Sequence, residues 1–264
     1  MPKFDEVIDD DDESDTFGQV VTDQSNEKYT FAEAGLRLFD DNGRFGANLN
    51  FYYTLRADRS FASYDIQDEF EAIFRIKGVD QRHMGVELES SFQATNDLRF
   101  DLMASFGNWK YLNDVNASYV SQQGNQNVTL AIKDLKVGDA PQTQLSYAVT
   151  WSPISNLSAR LRGFTYAQHY SDFTPLDRIG GDNVQPWKIP GTTFYNLHLT
   201  YDVSSLFDGT QLFFNMLNVT DEFYISDAED NSPYNAFDND HDADDAEVYL
   251  GLPRRYNFGF RVNF

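Results

Sequence analysis

Apolar and polar residues alternate along most of the chain with a period of two, which is typical of β-strands with one apolar face. Nine segments show the alternation, each close to the ~9–11 residues with which a tilted strand crosses a bilayer. They are Tyr29 to Phe39, Phe45 to Arg56, Arg82 to Gln93, Leu98 to Leu112, Thr143 to Trp151, Leu157 to Tyr170, Thr193 to Tyr201, Gln211 to Val219 and Arg254 to Phe264. Helical spacing fits none of them, so we predict an all-β protein.

The connections between these segments alternate between short and long. The short ones are Asp40 to Arg44, Ala94 to Asp97, Ser152 to Asn156 and Val203 to Gly209, and the long ones are Ala57 to Gln81, Asn113 to Gln142, Ser171 to Thr192 and Thr220 to Pro253. Short turns on one rim and long loops on the other are expected of an antiparallel up-and-down transmembrane β-barrel. A soluble β-sandwich or barrel is the alternative, because periodicity alone does not say which face is inside.

Composition narrows these choices. No run approaches the ~18 consecutive apolar residues of a transmembrane helix, and the mean hydropathy is -0.53 although 16% of residues are aromatic. The absence of cysteine excludes disulfides and thiolate sites. The net charge of -22, with acids clustered at both ends of the chain, argues against a nucleic-acid partner.

The chain divides at residue 28. Residues 1–28 are rich in acids and are predicted to be an extracellular loop or a disordered segment, whereas residues 29–264 carry the strands. Met1-Pro2-Lys3 leads into acidic residues rather than an export signal. For an outer-membrane protein, we therefore expect the native N-terminus to lie outside this sequence.

The last eight residues, Asn257 to Phe264, have the spacing polar-x-Gly-x-x-hydrophobic-x-hydrophobic and end on an aromatic residue. This segment resembles the outer-membrane β-signal that is bound by the barrel-assembly machinery. The resemblance implies that machinery and outer-membrane lipid as partners. A terminal strand with one apolar face can add to a sheet edge by backbone pairing. The candidate assembly residues are Asn257, Gly259, Val262 and Phe264.

A second resemblance lies upstream. The segment Asn218-Val219-Thr220-Asp221-Glu222-Phe223-Tyr224 is similar to the Asn-Leu-Phe-Asp-x-x-Tyr segment of TonB-dependent receptors, with Val219 and Thr220 departing from it. Gly251-Leu252-Pro253-Arg254 resembles the Gly-x-x-Arg of the same family before its last strand. The resemblance covers Tyr29 to Phe264.

Membership in that family would imply a 22-stranded barrel in the cell outer membrane, filled by an N-terminal plug. Such receptors import siderophores, vitamins or glycans with energy passed through TonB, which contacts a plug that we do not find in this chain. The chain would then supply about the last nine or ten strands. Nine is odd, whereas bacterial single-chain barrels close with an even number, which also indicates a partial barrel.

The search for chemistry favours a protein that is not an enzyme. The four histidines are scattered, and no Ser, His and acid spacing suggests a hydrolase. Residues 221–247 hold eleven carboxylates and no Lys or Arg. Calcium is a candidate ligand of this loop, although Ala243 replaces the turn glycine of an EF-hand, and a solvated loop is the alternative. The candidate ligands are Asp238, Asp240, Asp242, Asp244 and Asp245; no other cofactor is expected.

Charged residues on the polar strand faces are expected to line the lumen as ion pairs or plug contacts. They are Glu87, Glu89, Arg99, Asp101, Arg160 and Arg162. The leading hypothesis is the barrel wall and outer loops of a TonB-dependent importer. The alternatives are a small closed barrel acting as a passive channel or adhesin, and an outer-membrane barrel enzyme. The sequence identifies no ligand-binding residues and no transported ligand.

Overall fold

The computed structural model describes residues 18–20, 26–67, 70–121, 124–181, 183–231 and 240–262. These residues form fifteen strands and one 3₁₀ turn, Leu176–Arg178. The strands are β1 (Lys28–Phe39), β2 (Phe45–Gln67), β3 (Phe70–Gln93), β4 (Leu98–Tyr111), β5 (Val115–Ser121), β6 (Gly124–Leu130), β7 (Thr143–Ile154), β8 (Leu157–Ala167), β9 (His169–Tyr170), β10 (Lys188–Ile189), β11 (Thr192–Asp202), β12 (Thr210–Leu217), β13 (Ile225–Glu229), β14 (Glu247–Leu250) and β15 (Arg255–Val262). No helix in the described part of the chain is long and apolar enough to cross a membrane.

Nine strands form an antiparallel wall in the order β1-β2-β3-β4-β7-β8-β11-β12-β15. Each corresponds to one of the nine predicted segments, so the predicted number and order of strands are confirmed. Every neighbour in the wall is the next wall strand along the chain, as in an up-and-down barrel. Among the described residues, β1 and β15 each pair on one side only, so the sheet is not closed. The wall is a partial barrel.

The register of the wall separates apolar from polar side chains. Residues directly opposite each other in an antiparallel pair point to the same face. Phe92 lies opposite Phe45 and Phe100, and Phe100 lies opposite Val149, so an apolar row crosses four strands. These four side chains are exposed. The opposite face carries Asn50, Glu87 and Ser105 in a continuous polar row.

Two of the predicted long connections contain strands. Residues 57–81 were expected to form a loop, but β2 and β3 continue through the segment to Gln67 and from Phe70. The ladder shifts register between Arg56 and Arg59 and again between Arg59 and Phe61. Such bulges break the period-two pattern, which explains why the sequence pattern predicted an end at this point. Residues 113–142 hold the β5–β6 hairpin, which pairs with the β3 extension.

The long connections pack together beyond one end of the wall, and we call them L1 (57–81), L2 (113–142), L3 (168–191) and L4 (220–253). L1 and L2 share a hydrophobic core with the end of β4 and with partly buried residues of L3. Its buried members are Phe74, Ile76, Val79, Tyr111, Val115, Ala117, Leu130, Ile132 and Leu135. The loops therefore form a folded cap with a core of its own. L3 contains β9 and β10, and L4 contains β13 and β14.

Candidate functional site

The polar face of the wall holds a cross-strand ion-pair network. Asp101 on β4 accepts from Arg99 Nε at 2.8 Å and from Arg160 Nη2, on β8, at 3.1 Å. The Arg160 side chain spans the intervening strand β7, since Arg160 and Arg99 both lie opposite Thr150. Hydrogen bonds between two charged groups are shorter and stronger than those between neutral groups. Asp101 is therefore compensated from two strands.

All six charged residues predicted to share the polar face do so. Glu87 and Glu89 lie opposite Ser105 and Met103, and Arg160 and Arg162 continue the same face on β8. Arg162 donates from Nε to Ser146 Oγ at 2.7 Å. On the far strands, His198 Nδ1 lies 2.7 Å from Asn215 Oδ1. His198 is thus part of a hydrogen-bonded polar row, as expected of a lone histidine on a polar strand face.

An aromatic column crosses the same face near the cap, and no sequence motif indicated it. The Arg162 guanidinium lies 4.5 Å from the Phe164 ring centroid, and Phe164 stacks on Phe194 at 5.3 Å. Phe194 in turn stacks on Tyr224 of L4 at 5.1 Å. Since Phe164 and Phe194 lie opposite each other on β8 and β11, strand register could have suggested the first pair. The contact with Tyr224 depends on the fold of L4.

The two motifs that resemble TonB-dependent receptors meet at the base of L4. Asn218, with φ of 52°, directly follows Leu217, the last residue of β12. Its Nδ2 donates to Glu222 O at 2.9 Å and to Leu252 O at 3.2 Å, and its Oδ1 accepts from Glu222 N at 2.8 Å. One buried amide thus satisfies backbone groups from both motifs. Thr220 has no role in these bonds, so its departure from the family pattern leaves them intact.

Asp221 and Tyr224 complete this junction. Asp221 Oδ1 accepts from Arg254 N at 2.8 Å and Oδ2 lies 3.2 Å from Arg254 Nη2. These backbone and side-chain hydrogen bonds lower the pKa of the Asp221 carboxyl. The Tyr224 ring lies directly over Gly251, where an added Cβ would overlap it. The junction closes L4 so that β12 and β15, distant in sequence, pair as neighbours.

A buried charge cluster joins L3 to L4. Asp230 Oδ2 accepts from Arg178 Nη2 at 3.0 Å and lies 2.6 Å from His241 Nδ1. Asp230 Oδ1 accepts from Trp187 N at 2.8 Å. Arg178 and Asp230 are 0% and 1% exposed, so each charge is compensated in a site without solvent. No sequence pattern indicated this cluster, because its residues come from separate loops.

The predicted calcium ligands lie in L4. Asp238 lies outside the described residues; Asp240, Asp242, Asp244 and Asp245 follow within one short turn. Asp245 is buried and its Oδ2 accepts from Asp240 N at 3.0 Å, while Asp242 Oδ1 accepts from Asp244 N at 3.0 Å. No group of three His, Asp or Glu side chains among the described residues is arranged to hold a metal ion. Calcium binding by this loop stays a prediction.

Three of the four predicted assembly residues lie on the edge strand β15. Asn257 Oδ1 accepts from Asn215 Nδ2 at 2.6 Å on the polar face. Gly259 lies against the Phe213 ring, which an added Cβ would contact at 2.7 Å. Val262 pairs with Thr210, and Phe264 lies outside the described residues. Their recognition during assembly stays a prediction.

Comparisons with known proteins agree with this architecture. The family model described as "TonB dependent receptor-like, beta-barrel" matches residues 10–219. No curated protein sequence matches the chain. Among solved structures, the copper transporter OprC is similar with a TM-score of 0.60 at 18% identity, over 90% of this chain and 31% of that chain.

Two further structures belong to named iron-related receptors. The siderophore receptor PiuA from Acinetobacter baumannii has a TM-score of 0.58 at 12% identity, over 87% of this chain and 28% of that chain. The ferric yersiniabactin uptake receptor FyuA from Yersinia pestis has a TM-score of 0.60 at 14% identity, over 90% of this chain and 30% of that chain. At these identities the likeness concerns the fold alone, and the chain spans less than a third of each structure.

Proposed function

Since the chain belongs to the TonB-dependent receptor β-barrel family, we propose that it forms the C-terminal barrel wall and outer loops of an importer for a scarce ligand. Members of this family are outer-membrane proteins that act as receptors and transporters, and the chain is part of such a barrel. A siderophore, a vitamin, a glycan or a metal complex is the class of ligand that we propose. We propose no enzymatic role for it.

The observation that carries the proposal is the open, two-faced wall. Nine strands with an apolar face, a charged face and, among the described residues, an unpaired edge on each side suit part of a wide barrel with a polar interior. The same wall does not support a small closed channel or adhesin, because in the described part of the chain β1 and β15 do not pair with each other. The ion pairs around Asp101 suit a surface that contacts a plug or a hydrated ligand.

Partners follow from the same proposal. Energy for import would come from TonB through a plug encoded outside these 264 residues. The apolar face, with exposed Phe92, Phe100 and Phe258, would contact outer-membrane lipid. The loop cap would lie on the extracellular side, because long loops of bacterial barrels face outward and short turns face the periplasm.

Uptake in the native bacterium tests the proposal. Deleting the gene should reduce uptake of one ligand class among ferric siderophores, cobalamin, copper and oligosaccharides, and deleting TonB should reduce the same uptake to the same level. A plasmid copy should restore uptake in the first strain but not in the second. Uptake that persists without TonB, or a general increase in permeability to small solutes, would contradict the importer and favour a passive channel.

A further inference from the structure

Three cations form a row on the apolar face of the wall, and the proposed function does not use them. Arg82 on β3 lies directly opposite Lys110 on β4, and Lys110 forms an antiparallel bridge with Lys136 of L2. Because residues opposite each other in an antiparallel pair point to the same face, the three side chains lie side by side. The chain as a whole has a net charge of -22, so this row is a local exception.

The row shares its face with the exposed phenylalanines near the short turns. Arg82 lies ten residues from Phe92 on β3, and Lys110 lies ten residues from Phe100 on β4. The β3–β4 ladder has no register shift between these positions. Since side chains two residues apart in a strand point to the same face, Arg82 and Lys110 project from the face that would contact lipid.

The spacing places the row at one boundary of the apolar band. Ten residues of a strand span about 34 Å, or about 24–28 Å across the membrane at the ~35–45° tilt of barrel strands. The apolar band of such a barrel is about 25 Å tall, so the row lies at the cap-side boundary when Phe92 and Phe100 lie at the other. Exposed Tyr53 lies opposite Met84, two residues from Arg82 on the same face. An aromatic residue at this level is expected where hydrocarbon meets the lipid headgroups.

Carboxylates of the described residues compensate the row only in part. Lys110 Nζ pairs with Asp134. Arg82 Nε is buried and has no hydrogen-bond partner in the described part of the chain. Lys136 Nζ donates to the neutral Asn108 Oδ1 at 2.9 Å. The row therefore combines three cations with one paired carboxylate.

The three cations also act on one another. Burial is the largest cause that lowers the pKa of Lys136, and the charges of Lys110 and Arg82 lower it further. An anion beside the row would offset this repulsion, and the oxygens of a phosphate accept strong hydrogen bonds from Lys and Arg. Because the row lies where the apolar face ends, a phosphate carried by a lipid can reach it while the acyl chains stay on that face.

We propose that Arg82, Lys110 and Lys136 bind a phosphate group of an anionic lipid in the outer leaflet, whose acyl chains lie along the apolar face of β3 and β4. The inference rests on the orientation proposed above, with the cap on the extracellular side, and on no particular transported ligand. Since the row joins two wall strands to L2, a lipid bound here would also hold this loop of the cap against the wall.

Binding of diphosphoryl lipid A, a phosphorylated glycolipid, to the purified full-length receptor in neutral detergent tests the site. Titrations at low salt with a chelator prevent divalent ions from bridging lipid and protein. Arg82→Gln with Lys136→Gln should weaken binding by about 25-fold, because each cation near an anionic membrane surface contributes about fivefold in affinity. Lipid A without its phosphates should bind the wild-type protein and this variant equally, and inorganic phosphate should not compete.

Two further double variants are the controls. Arg44→Gln with Lys188→Gln removes two exposed cations outside the row and should bind lipid A like wild type. Arg82→Lys with Lys136→Arg keeps both charges and should retain most of the affinity, which guards against a folding defect caused by changing these positions. Equal affinity of the Arg82→Gln, Lys136→Gln variant and wild type overturns the proposal, as does an equal loss in the first control or competition by millimolar inorganic phosphate.

A separate measurement tests the orientation. The chain contains no cysteine, so Asp139→Cys, at an exposed position of L2, introduces one label site that should react with a membrane-impermeant maleimide in intact cells. Reaction only after lysis would overturn both the outer-leaflet source of the lipid and the orientation in the proposed function. Labelling of intact cells without any effect of the Arg82→Gln, Lys136→Gln variant on lipid A binding would overturn the lipid site alone.

Discussion

At the scale of single residues, two glycines leave the space that a tyrosine ring occupies. Gly251 lies beneath Tyr224 and Gly163 beneath Tyr147, one in the cap and one in the wall. Neither glycine has a positive φ, so each position is restricted by space rather than by backbone conformation. Side chains at these positions would displace a ring that also packs on its neighbours, Phe194 and Tyr195 respectively.

Gly251→Ala should therefore destabilise the base of L4. The added methyl overlaps the Tyr224 ring, and overpacking of this kind costs about 1–3 kcal/mol. Limited proteolysis of L4 in the full-length receptor should show faster cleavage in this variant. Gly46→Ala is the matched control, because its Cβ would meet Ser91 Oγ at an ordinary 3.7 Å. Equal cleavage of all three proteins would contradict the steric role of Gly251.

Asp230 is the other residue on which the cap depends. Asp230→Ala should lower the free energy of unfolding of L3 and L4 by about 3–5 kcal/mol, since it removes the carboxylate that pairs with the buried Arg178 guanidinium. Native-state hydrogen exchange across 171–191 measures the loss. The double variant Asp230→Ala with Arg178→Met should recover part of it, whereas Lys28→Ala, which removes an exposed ion pair with Asp58, should change little. Full additivity in the double variant would show that the buried pair is not coupled.

At the scale of elements, the long connections behave as folded units rather than as irregular loops. The β5–β6 hairpin pairs with the β2–β3 extension, and apolar side chains of both form a core with the end of β4 and with partly buried residues of L3. L4 differs, since its acidic segment is held by backbone hydrogen bonds to carboxylates such as Asp242 and Asp245. Hydrogen bonding to Asp244 lowers the pKa of the Asp242 carboxyl.

Calcium should increase the order of this acidic segment. Eleven carboxylates without a Lys or Arg between residues 221 and 247 repel one another unless cations bind. Weak extracellular calcium sites have affinities of about 10⁻⁴–10⁻³ M. Protease protection of L4 should rise with millimolar calcium and fall with chelator, and Asp240→Asn with Asp242→Asn should abolish the difference. Equal cleavage with calcium and with chelator would contradict calcium binding and support the alternative, a solvated loop.

The terminal strand should be required for assembly. Phe264→Asp removes the terminal aromatic residue of the resembled β-signal, so we expect full-length receptor to remain unassembled and to be degraded. Outer-membrane levels measured by immunoblot test this expectation. Phe207→Asp, in an exposed short turn, is the control for a charge replacing an exposed phenylalanine. Normal surface levels of Phe264→Asp would refute the role of the segment as a signal.

At the scale of the whole molecule, the main feature of the wall is its two open edges. The twelve-residue strand β1 and the eight-residue strand β15 each present backbone groups that lack a sheet partner among the described residues. Within lipid each unsatisfied backbone group costs several kcal/mol. An apolar outer face cannot compensate for two such edges. The wall therefore requires further strands on both sides.

The 264-residue chain expressed alone should consequently fail to form a closed barrel. Folding into detergent or lipid followed by gel electrophoresis without heating should show no compact, heat-modifiable monomer. The full-length receptor, prepared in parallel, should show one. A stable heat-modifiable monomer of the isolated chain would favour the small-barrel alternative over a segment of an importer.

The number and order of the wall strands, and the division of each strand into an apolar and a polar face, followed from the sequence alone. The two faces require opposite residue types at alternate positions, so each strand, such as Leu98–Tyr111, shows both faces in its own pattern. Short turns fix the pairing of neighbours, and the motifs at Asn218 and Gly251 indicated the family. No comparable pattern along the sequence predicted the fold of the cap.

Only the tertiary structure determined the cap. Bulges on both sides of Arg59 interrupt the alternation, so the alternating pattern did not predict the extensions of β2 and β3. Contacts such as that of Arg178 with Asp230 join residues that are far apart in sequence and belong to different loops. Long-range contacts of this kind have no local signature, because they depend on where each loop folds back rather than on its own residues. The sequence therefore determined the wall, whereas the folded loops determined which charges meet.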